Sequence, residues 1–451
     1  MKGLSLVNLK IATTIAAIII AIAIAYIVAV PSMQDSQINI PESSINKQIS
    51  SSPQVQSVSL DEENPIKIGL LHSLSGTMAI SELSIVDAEL LAIDEINERG
   101  GVLGRKLVPI VEDGRSDWPT FATKAEKLIV EDEVSAVFGG WTSASRKTMK
   151  PIFEEYNHLL FYPVQYEGLE QSPNIIYTGA TPNQQILPAI DWAFENLGTR
   201  FFLVGSDYVF PKAANEIMKE QIHEIGGQVL GEEYRLLGDT NFSEIVDKII
   251  ETKPSIIVNT INGDSNVYFF KELRSRGITP QNIPTISFSI AEDEIRHLHA
   301  KDLAGDYSAW NYFQSIDIPT NSIFVENFKK RFGPHRVTDD PIEAGYTSVY
   351  LFAKAVEEAG TDDVNAVREK VKGMTFSAPS GIVRVDPDTQ HLSKVVRVGQ
   401  ILENGQFKIV SSSEEPIHPI PYPKYKSVDE WNAFLDDLYY GWNENWANPG
   451  K

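Results

Sequence analysis

Ala136-Val-Phe-Gly-Gly-Trp-Thr-Ser-Ala-Ser145, followed by Arg146 and Lys147, is the stretch from which the fold can be read. Val134 to Phe138 has the β-branched and aromatic content of a short buried strand. Gly139 and Gly140 let the backbone turn sharply and approach a neighbour closely. Thr142, Ser143 and Ser145 are N-cap residues for a helix running through Met149, whose first turn offers free backbone N–H groups. Strand, glycine turn and hydroxyl-rich helix start together predict a site for a small polar group at the C-terminal edge of a parallel sheet. An ordinary capped helix has the same local pattern, so the rest of the chain has to decide.

On either side of this stretch the same alternation repeats. Lys67 to Leu71 reads as a buried strand, Ser84 to Asn97 as a helix ending at Gly100-Gly101, Lys106 to Val111 as a strand and Pro119 to Glu131 as a helix. After Leu159-Leu-Phe-Tyr162 and Ile175-Ile-Tyr-Thr178 come a helix from Ile186, a strand at Arg200 to Val204, a helix from Lys212, and strands at Gln228 to Tyr234, Ser255 to Asn259 and Thr285 to Ser289. Strands separated by helices of this length predict parallel sheets built from βαβ units. Two such runs predict an α/β chain with two doubly wound lobes and a hinge. The first lobe is expected at 65–182 plus about 313–380, and the second at 183–312 plus about 381–415. A tail at 416–451, rich in Pro, Tyr and Trp, is expected to pack on the surface.

The 451 residues carry a net charge of −22, which disfavours nucleic acid or an anionic membrane surface as partner. There is no cysteine, so disulfides, thiol catalysis and thiolate zinc sites are excluded. Ile11 to Val30 is uncharged and about long enough to span a bilayer as a helix. Lys2 and Lys10 precede it and the next charge is Asp35, which places the N-terminus inside and the body outside the cell. Residues 1–32 therefore read as a transmembrane anchor or signal, and the polar stretch 33–64 as a flexible tether. The length of the apolar run and its ending at Val28-Ala-Val-Pro31 favour an uncleaved anchor over a cleaved signal peptide.

Ligands of parallel sheets sit at the carboxyl ends of strands. The residues expected there are Ser73, Ser75, Gly76 and Thr77; Gly140, Trp141, Thr142 and Ser143; Tyr162, Gln165 and Tyr166; Ser206, Asp207, Tyr208 and Phe210; Asn262, Gly263 and Asp264; and Glu292. Aromatics, hydroxyls, amides and a few carboxylates, with scarcely a cation, suit a small ligand rich in N–H donors. Taken singly, each is as readily a turn former or a packed aromatic. GxGxxG, GxxxxGK[ST], HExxH and GxSxG are all absent, so neither catalysis nor a cofactor is expected. His297 and His299, two apart on a helical stretch, face different sides and read as solvated rather than metal-binding.

Three segments in this order, Ile68-Gly-Leu-Leu-His-Ser-Leu-Ser-Gly-Thr77, Ala92-Ile-Asp-Glu-Ile-Asn-Glu-Arg-Gly-Gly101 and Gly139-Gly-Trp-Thr-Ser-Ala-Ser-Arg-Lys147, resemble type I periplasmic binding proteins of the branched-chain amino acid and amide group. Phe161-Tyr-Pro-Val-Gln-Tyr-Glu-Gly168, Ser172-Pro-Asn-Ile-Ile-Tyr177, Gly205-Ser-Asp-Tyr-Val-Phe-Pro211 and Gln314-Ser-Ile-Asp-Ile-Pro319 resemble its urea- and short-chain-amide-binding branch. The resemblance covers about 66–425. It implies a Venus-flytrap receptor that closes on urea or a small amide and works with the permease and ATPase subunits of an ABC importer. It places Trp141, Thr142, Ser143, Tyr162, Gln165, Tyr166, Tyr208, Phe210, Ile261, Asn262, Asp264 and Glu292 in the pocket. Trp141 and Phe210 stand where the amide sensor of the branch has tyrosine, and Val164-Gln165 where it has Thr-Pro. A carboxylate at Glu292 or Asp264 would accept a pair of N–H groups, a backbone N–H near Ser143 would serve the carbonyl, and Trp141 would stack. A branched-chain amino acid ligand, or a sensing role, is the alternative.

Overall fold

The computed structural model describes residues 61–450. The apolar run expected to span the membrane lies outside them, as does the tether up to residue 60; among the described residues no helix is long and apolar enough to cross a bilayer. The first strand, β1 (Asp61–His72), begins earlier than its apolar pattern does. It is followed by α1 (Ala79–Glu98), β2 (Arg105–Asp113), α2 (Trp118–Val130), β3 (Val137–Gly139), α3 (Ser143–Glu155), β4 (Leu160–Tyr162) and β5 (Ile175–Tyr177). The five strands form one parallel sheet in the order β2-β1-β3-β4-β5. The short strands β3, β4 and β5 are buried throughout, as expected of a sheet covered on both faces.

The second lobe is built from α4 (Ile186–Asn196), β6 (Arg200–Ser206), α5 (Val209–Glu224), β7 (Gln228–Arg235), α6 (Ser243–Thr252), β8 (Ile256–Thr260), α7 (Ser265–Ser275), β9 (Thr285–Ser287), α8 (Glu292–His297), α9 (Ala300–Leu303) and β10 (Tyr307–Trp310). The chain then adds α10 (Pro319–Phe332), α11 (Asp340–Ala359), α12 (Val364–Val371), β11 (Thr375–Ala378), β12 (Gly381–Val385) and β13 (Leu392–Ser393), and returns as β14 (Arg397–Ile401), β15 (Phe407–Ser412) and α13 (Val428–Gly441). The second sheet has the order β15-β14-β10-β9-β8-β6-β7, parallel except for β14 and β15. Strand alternation divides its side chains. Phe201, Leu203 and Val258 pack in one core with α4, α5 and Trp431, while Phe202, Val204 and Ile257 pack in another with Phe269 and Phe270.

One boundary differs from the sequence reading. Residues 381–392 were expected in the second lobe, but Val383, Val385 and Leu392 are buried in the first core. The reason is the antiparallel pairing of β12 with β11, which turns every second side chain onto the first lobe. The chain therefore re-enters the second lobe between Leu392 and Val398, having passed out of the first core after Tyr177 and back near Tyr312. The tail lies on the second lobe with most of its residues exposed or half-buried, and its helix is anchored through two side chains. Trp431 is fully buried and Leu435 nearly so, within the second-lobe core.

Gly139 explains why β3 ends where it does. Its φ is +144°, and a Cβ there would lie 1.9 Å from the Leu71 carbonyl oxygen of β1. Gly139→Ala is expected to destabilise the protein by more than about 3 kcal/mol, because the methyl would press on backbone that cannot yield. Gly226, at φ +84° with nothing within 4 Å of an added Cβ, is the control. Gly226→Ala should cost only about 1 kcal/mol. Guanidinium-chloride midpoints read both, and equal losses would refute the close-approach argument.

Candidate functional site

The site grows out of the β3–α3 turn. Gly140 N–H donates to the Leu71 carbonyl at 2.9 Å, which holds the turn against β1 and presents Trp141. Thr142 caps α3, its hydroxyl oxygen accepting from Ser145 N–H at 3.1 Å. The N–H groups of Ser143 and Ala144, in the first turn, have no intrahelical acceptor. One turn further, α3 carries Arg146 and Lys147 inward, and both are buried.

Burial of two cations needs partners, and the loop after β4 supplies them. Arg146 Nε donates to Glu170 Oε1 at 2.8 Å and its Nη2 to Glu167 Oε1 at 3.2 Å. Lys147 Nζ donates to Glu170 Oε2 at 2.9 Å. The guanidinium lies 4.8 Å from the Tyr162 ring centre and 4.4 Å from that of Tyr166. Ser143 is locked into the same network, accepting from Arg146 Nη1 at 3.1 Å and donating to Glu167. Burial pushes the Glu170 carboxyl up, but Arg146 and Lys147 outweigh it and hold it well below the ordinary range. Two cations face two carboxylates, so the cluster is locally neutral. Behind it Tyr166, Tyr177 and His391 stack, with ring centres 5.2 and 4.1 Å apart along the series. Burial depresses the His391 imidazole to about 3.

The second lobe closes over this wall. Trp141 Nε1 donates to Asn262 Oδ1 at 3.1 Å, and Gln165 Nε2 to the Phe288 carbonyl at 2.8 Å. Gln165 Oε1 is buried without a partner. Asn262 is itself fixed by its N–H donating to Ser206 Oγ at 3.0 Å. At the rim Thr77 donates to the Asp264 carboxylate, and Asp264 N–H donates back to the Thr77 carbonyl at 3.2 Å. Ser84 Oγ donates to Asp293 Oδ2 at 2.5 Å. Tyr208 is buried at the end of β6; burial raises its hydroxyl well above the ordinary value, and Tyr162, Glu167 and Arg146 are among the groups acting on it. Its ring packs in the second-lobe core beside Phe210, with those first-lobe groups acting on it from the other side of the cleft.

Six of the twelve expected residues thus converge: Trp141, Ser143, Tyr162, Gln165, Tyr208 and Asn262. Phe210 stands 6.3 Å from Tyr208, ring centre to ring centre, inside the second-lobe core. Thr142 is occupied as a cap, and Tyr166 forms the layer behind Arg146. Ile261 is held through its backbone, its N–H donating to Asn259 Oδ1 at 2.9 Å. Asp264 is engaged with Thr77. Glu292 sits beside the crossing segment, with Oε1 accepting from Gln314 N–H at 2.7 Å and Oε2 unpartnered.

The expectation of walls nearly free of cations needs correction, because a buried guanidinium underlies them. Arg146, Glu167 and Glu170 were missed as a set. Their signal was two adjacent cations in an otherwise core-like helix start and two carboxylates three apart downstream. His72 and Glu82 were missed too. His72 Nε2 is 3.1 Å from Glu89 and its Nδ1 3.6 Å from Glu82, which also accepts from Ser73 N–H at 2.7 Å. Among the described residues, no three His, Asp or Glu side chains are arranged to hold a metal ion.

Several of these groups titrate in one direction. Burial pushes Glu292 up to about 8, with Glu294 and Asp340 adding to it, and Glu294 up to about 7. Burial disfavours the His72 imidazolium, but Glu89 and Glu82 outweigh it and raise His72 to about 9. Each group holds a proton in the folded chain that the unfolded chain would release at a lower pH. Their contributions are therefore present at low pH and lost as pH rises through about 7 to 9. The thermal midpoint is expected to fall from pH 6 to pH 9, and Glu292→Gln to flatten the fall; a midpoint that climbs across this window would contradict the assignment. Arg146→Met, which strands Glu167 and Glu170 with Lys147 alone, is expected to cost about 3–5 kcal/mol in guanidinium-chloride unfolding.

A family model described as "Periplasmic binding protein domain" matches residues 66–428. "Leu/Ile/Val-binding protein homolog 6" of Brucella melitensis is 22% identical over 347 residues, covering 74% of this chain and 87% of that protein. "Limonene hydroxylase" of Geobacillus stearothermophilus is 36% identical over 133 residues, which is 30% of this chain and 24% of that protein. Among solved structures, a solute-binding protein of an ABC transporter from Rhodopseudomonas palustris BisB5, in complex with 3,4-dihydroxybenzoic acid, superposes with a TM-score of 0.71 at 21% identity. That match covers 79% of this chain and 99% of the other, and it shows a shared fold.

Proposed function

The chain belongs to the family of periplasmic binding protein domains, and from that premise we propose that it is the extracytoplasmic receptor of an ABC importer, closing its two lobes on urea or a short-chain amide. The observation that carries this reading is the meeting of Trp141 with Asn262 across the cleft, beside a buried Gln165 carbonyl that has no partner. Gln165 Oε1 and Asn262 Oδ1 would accept the N–H groups of a planar amide. The backbone N–H groups of Ser143 and Ala144 would donate to its carbonyl, while the Trp141 indole N–H stays on Asn262. The indole and Tyr162 give such a ligand apolar faces.

Local neutrality supports an uncharged solute. Glu167 and Glu170 are already occupied by Arg146 and Lys147, Asp264 by Thr77 and Asp293 by Ser84. A zwitterionic amino acid would need a free carboxylate for its ammonium and a free donor set for its carboxylate at fixed separation. A branched-chain amino acid remains the second reading because a relative covering most of the chain is named for leucine, isoleucine and valine binding. In the first reading the receptor binds without turnover, delivers to permease and ATPase subunits, and is held at the membrane by the apolar run Ile11 to Val30.

Titration calorimetry with urea, acetamide and leucine is the test. Heat is expected with urea or acetamide, and binding of leucine alone would overturn the reading. Gln165→Met and Trp141→Phe should each weaken the bound amide about 5- to 100-fold, the range spanned by a lost hydrogen bond and a lost anchor contact. Unchanged affinity in both would mean that the ligand sits elsewhere.

A further inference from the structure

Tyr208 occupies the N-cap position of α5, where a short side chain normally satisfies the first N–H groups, and it makes no capping hydrogen bond. A distant segment does this instead. Val209 N–H donates to the Trp446 carbonyl at 2.9 Å, and Tyr208 pairs with Ala447 in an antiparallel bridge. Asn448 N–H donates to the Asp207 carbonyl at 3.0 Å, and Asn448 Nδ2 to Asp207 Oδ2 at 2.6 Å. The turn that presents Tyr208 to the cleft is therefore held from behind by residues 446–448.

The same segment reaches the other lobe. The Trp446 ring lies 4.9 Å from Lys147 Nζ, the cation that shares Glu170 with Arg146. Open cavities of about 520 and 210 Å³ flank this contact, each bordered by Lys147, Pro151, Tyr439 and Trp446. Nearby, Ala144 and Leu169 also pack in the second-lobe core and Leu169 N–H donates to the Pro421 carbonyl at 2.8 Å, so the Lys147–Trp446 pair is one of several contacts that tie this side of the molecule together.

We infer that Trp446 and Asn448 are positioning residues of the solute site: they set the Tyr208 turn on one lobe while Trp446 latches the closed cleft to Lys147 on the other. This rests on the cleft being the solute site. A tyrosine at 208 leaves α5 without the side-chain cap that an aspartate, serine or asparagine would give its second or third N–H, and the Trp446 carbonyl holds the first. A latch made only after closure slows opening and leaves encounter untouched.

The experiment uses the full chain. Because it contains no cysteine, spin labels can be placed through Ile323→Cys on α10 and Tyr268→Cys on α7, both exposed and on opposite lobes. Lobe separation is measured by double electron–electron resonance without solute, and urea and acetamide dissociation by stopped flow. Trp446→Ala and Lys147→Met are expected to shift the solute-free distances toward the open form. They should also raise the dissociation rate about 3- to 30-fold, the range a partly desolvated cation–π contact supports, with association within twofold. Trp446→Phe, which keeps a ring, should recover most of the effect. Unchanged distances in Trp446→Ala and Lys147→Met, even with a lowered thermal midpoint, would reduce the segment to a structural anchor and overturn the inference. If the wild-type chain binds neither solute, the functional reading fails while the distance measurement still decides the latch.

Discussion

The Arg146 guanidinium, pressed between two tyrosine rings and two glutamates, is the interaction on which the cleft depends. A single buried cation without partners would cost more than the fold could supply, so Glu167 and Glu170 have to be delivered to it. Their loop follows β4 directly, which is why the chain after Tyr162 runs along the sheet edge before β5 begins. Ser143, Tyr162, Tyr166 and Lys147 then take their places from that one charge. The wall facing the second lobe is built on ionised groups yet carries no net charge.

Closure follows the same logic of matched partners. Trp141 meets an amide, Gln165 a backbone carbonyl, Thr77 a carboxylate, and Ser84 another. These contacts are between neutral groups or involve one charged acceptor, and none is an ion pair between lobes at the strand ends. Neutral hydrogen bonds exchange with water at small net cost, so the two halves can part and meet again without a large barrier from desolvating charge. The unpaired Gln165 carbonyl is the one point in this arrangement that a further N–H would satisfy.

How much of this was legible varied with the range of the interaction. Strands and glycine turns were readable because they depend on neighbours in sequence, as Gly139 and the Thr142 cap show. Two helices, by contrast, begin earlier than their apolar pattern, at Ala79 rather than Ser84 and at Val209 rather than Lys212. The convergence of Trp141, Ser143, Tyr162, Gln165, Tyr208 and Asn262 was readable because parallel strands all present their carboxyl ends to one edge. The membership of Val383 and Leu392 in the first core was not, since a short hairpin can lie on either lobe and its own pattern does not say which. Nor was the engagement of Glu292 by the crossing segment, because its partner is the backbone of Gln314 rather than a side chain with a recognisable pattern. Arg146 was in plain view but read as a flank, because a charged residue at a helix start is ordinarily solvated.

The pairing of Asn448 with Asp207 spans 241 positions of chain. A contact between residues so far apart in sequence cannot form until the C-terminal residue has been made. While a nascent chain emerges from its N-terminal side, β6 and α5 must therefore wait with an uncapped helix start until residues 446–448 have been made. The turn that carries Tyr208 is thus completed only when the two ends of the second lobe meet.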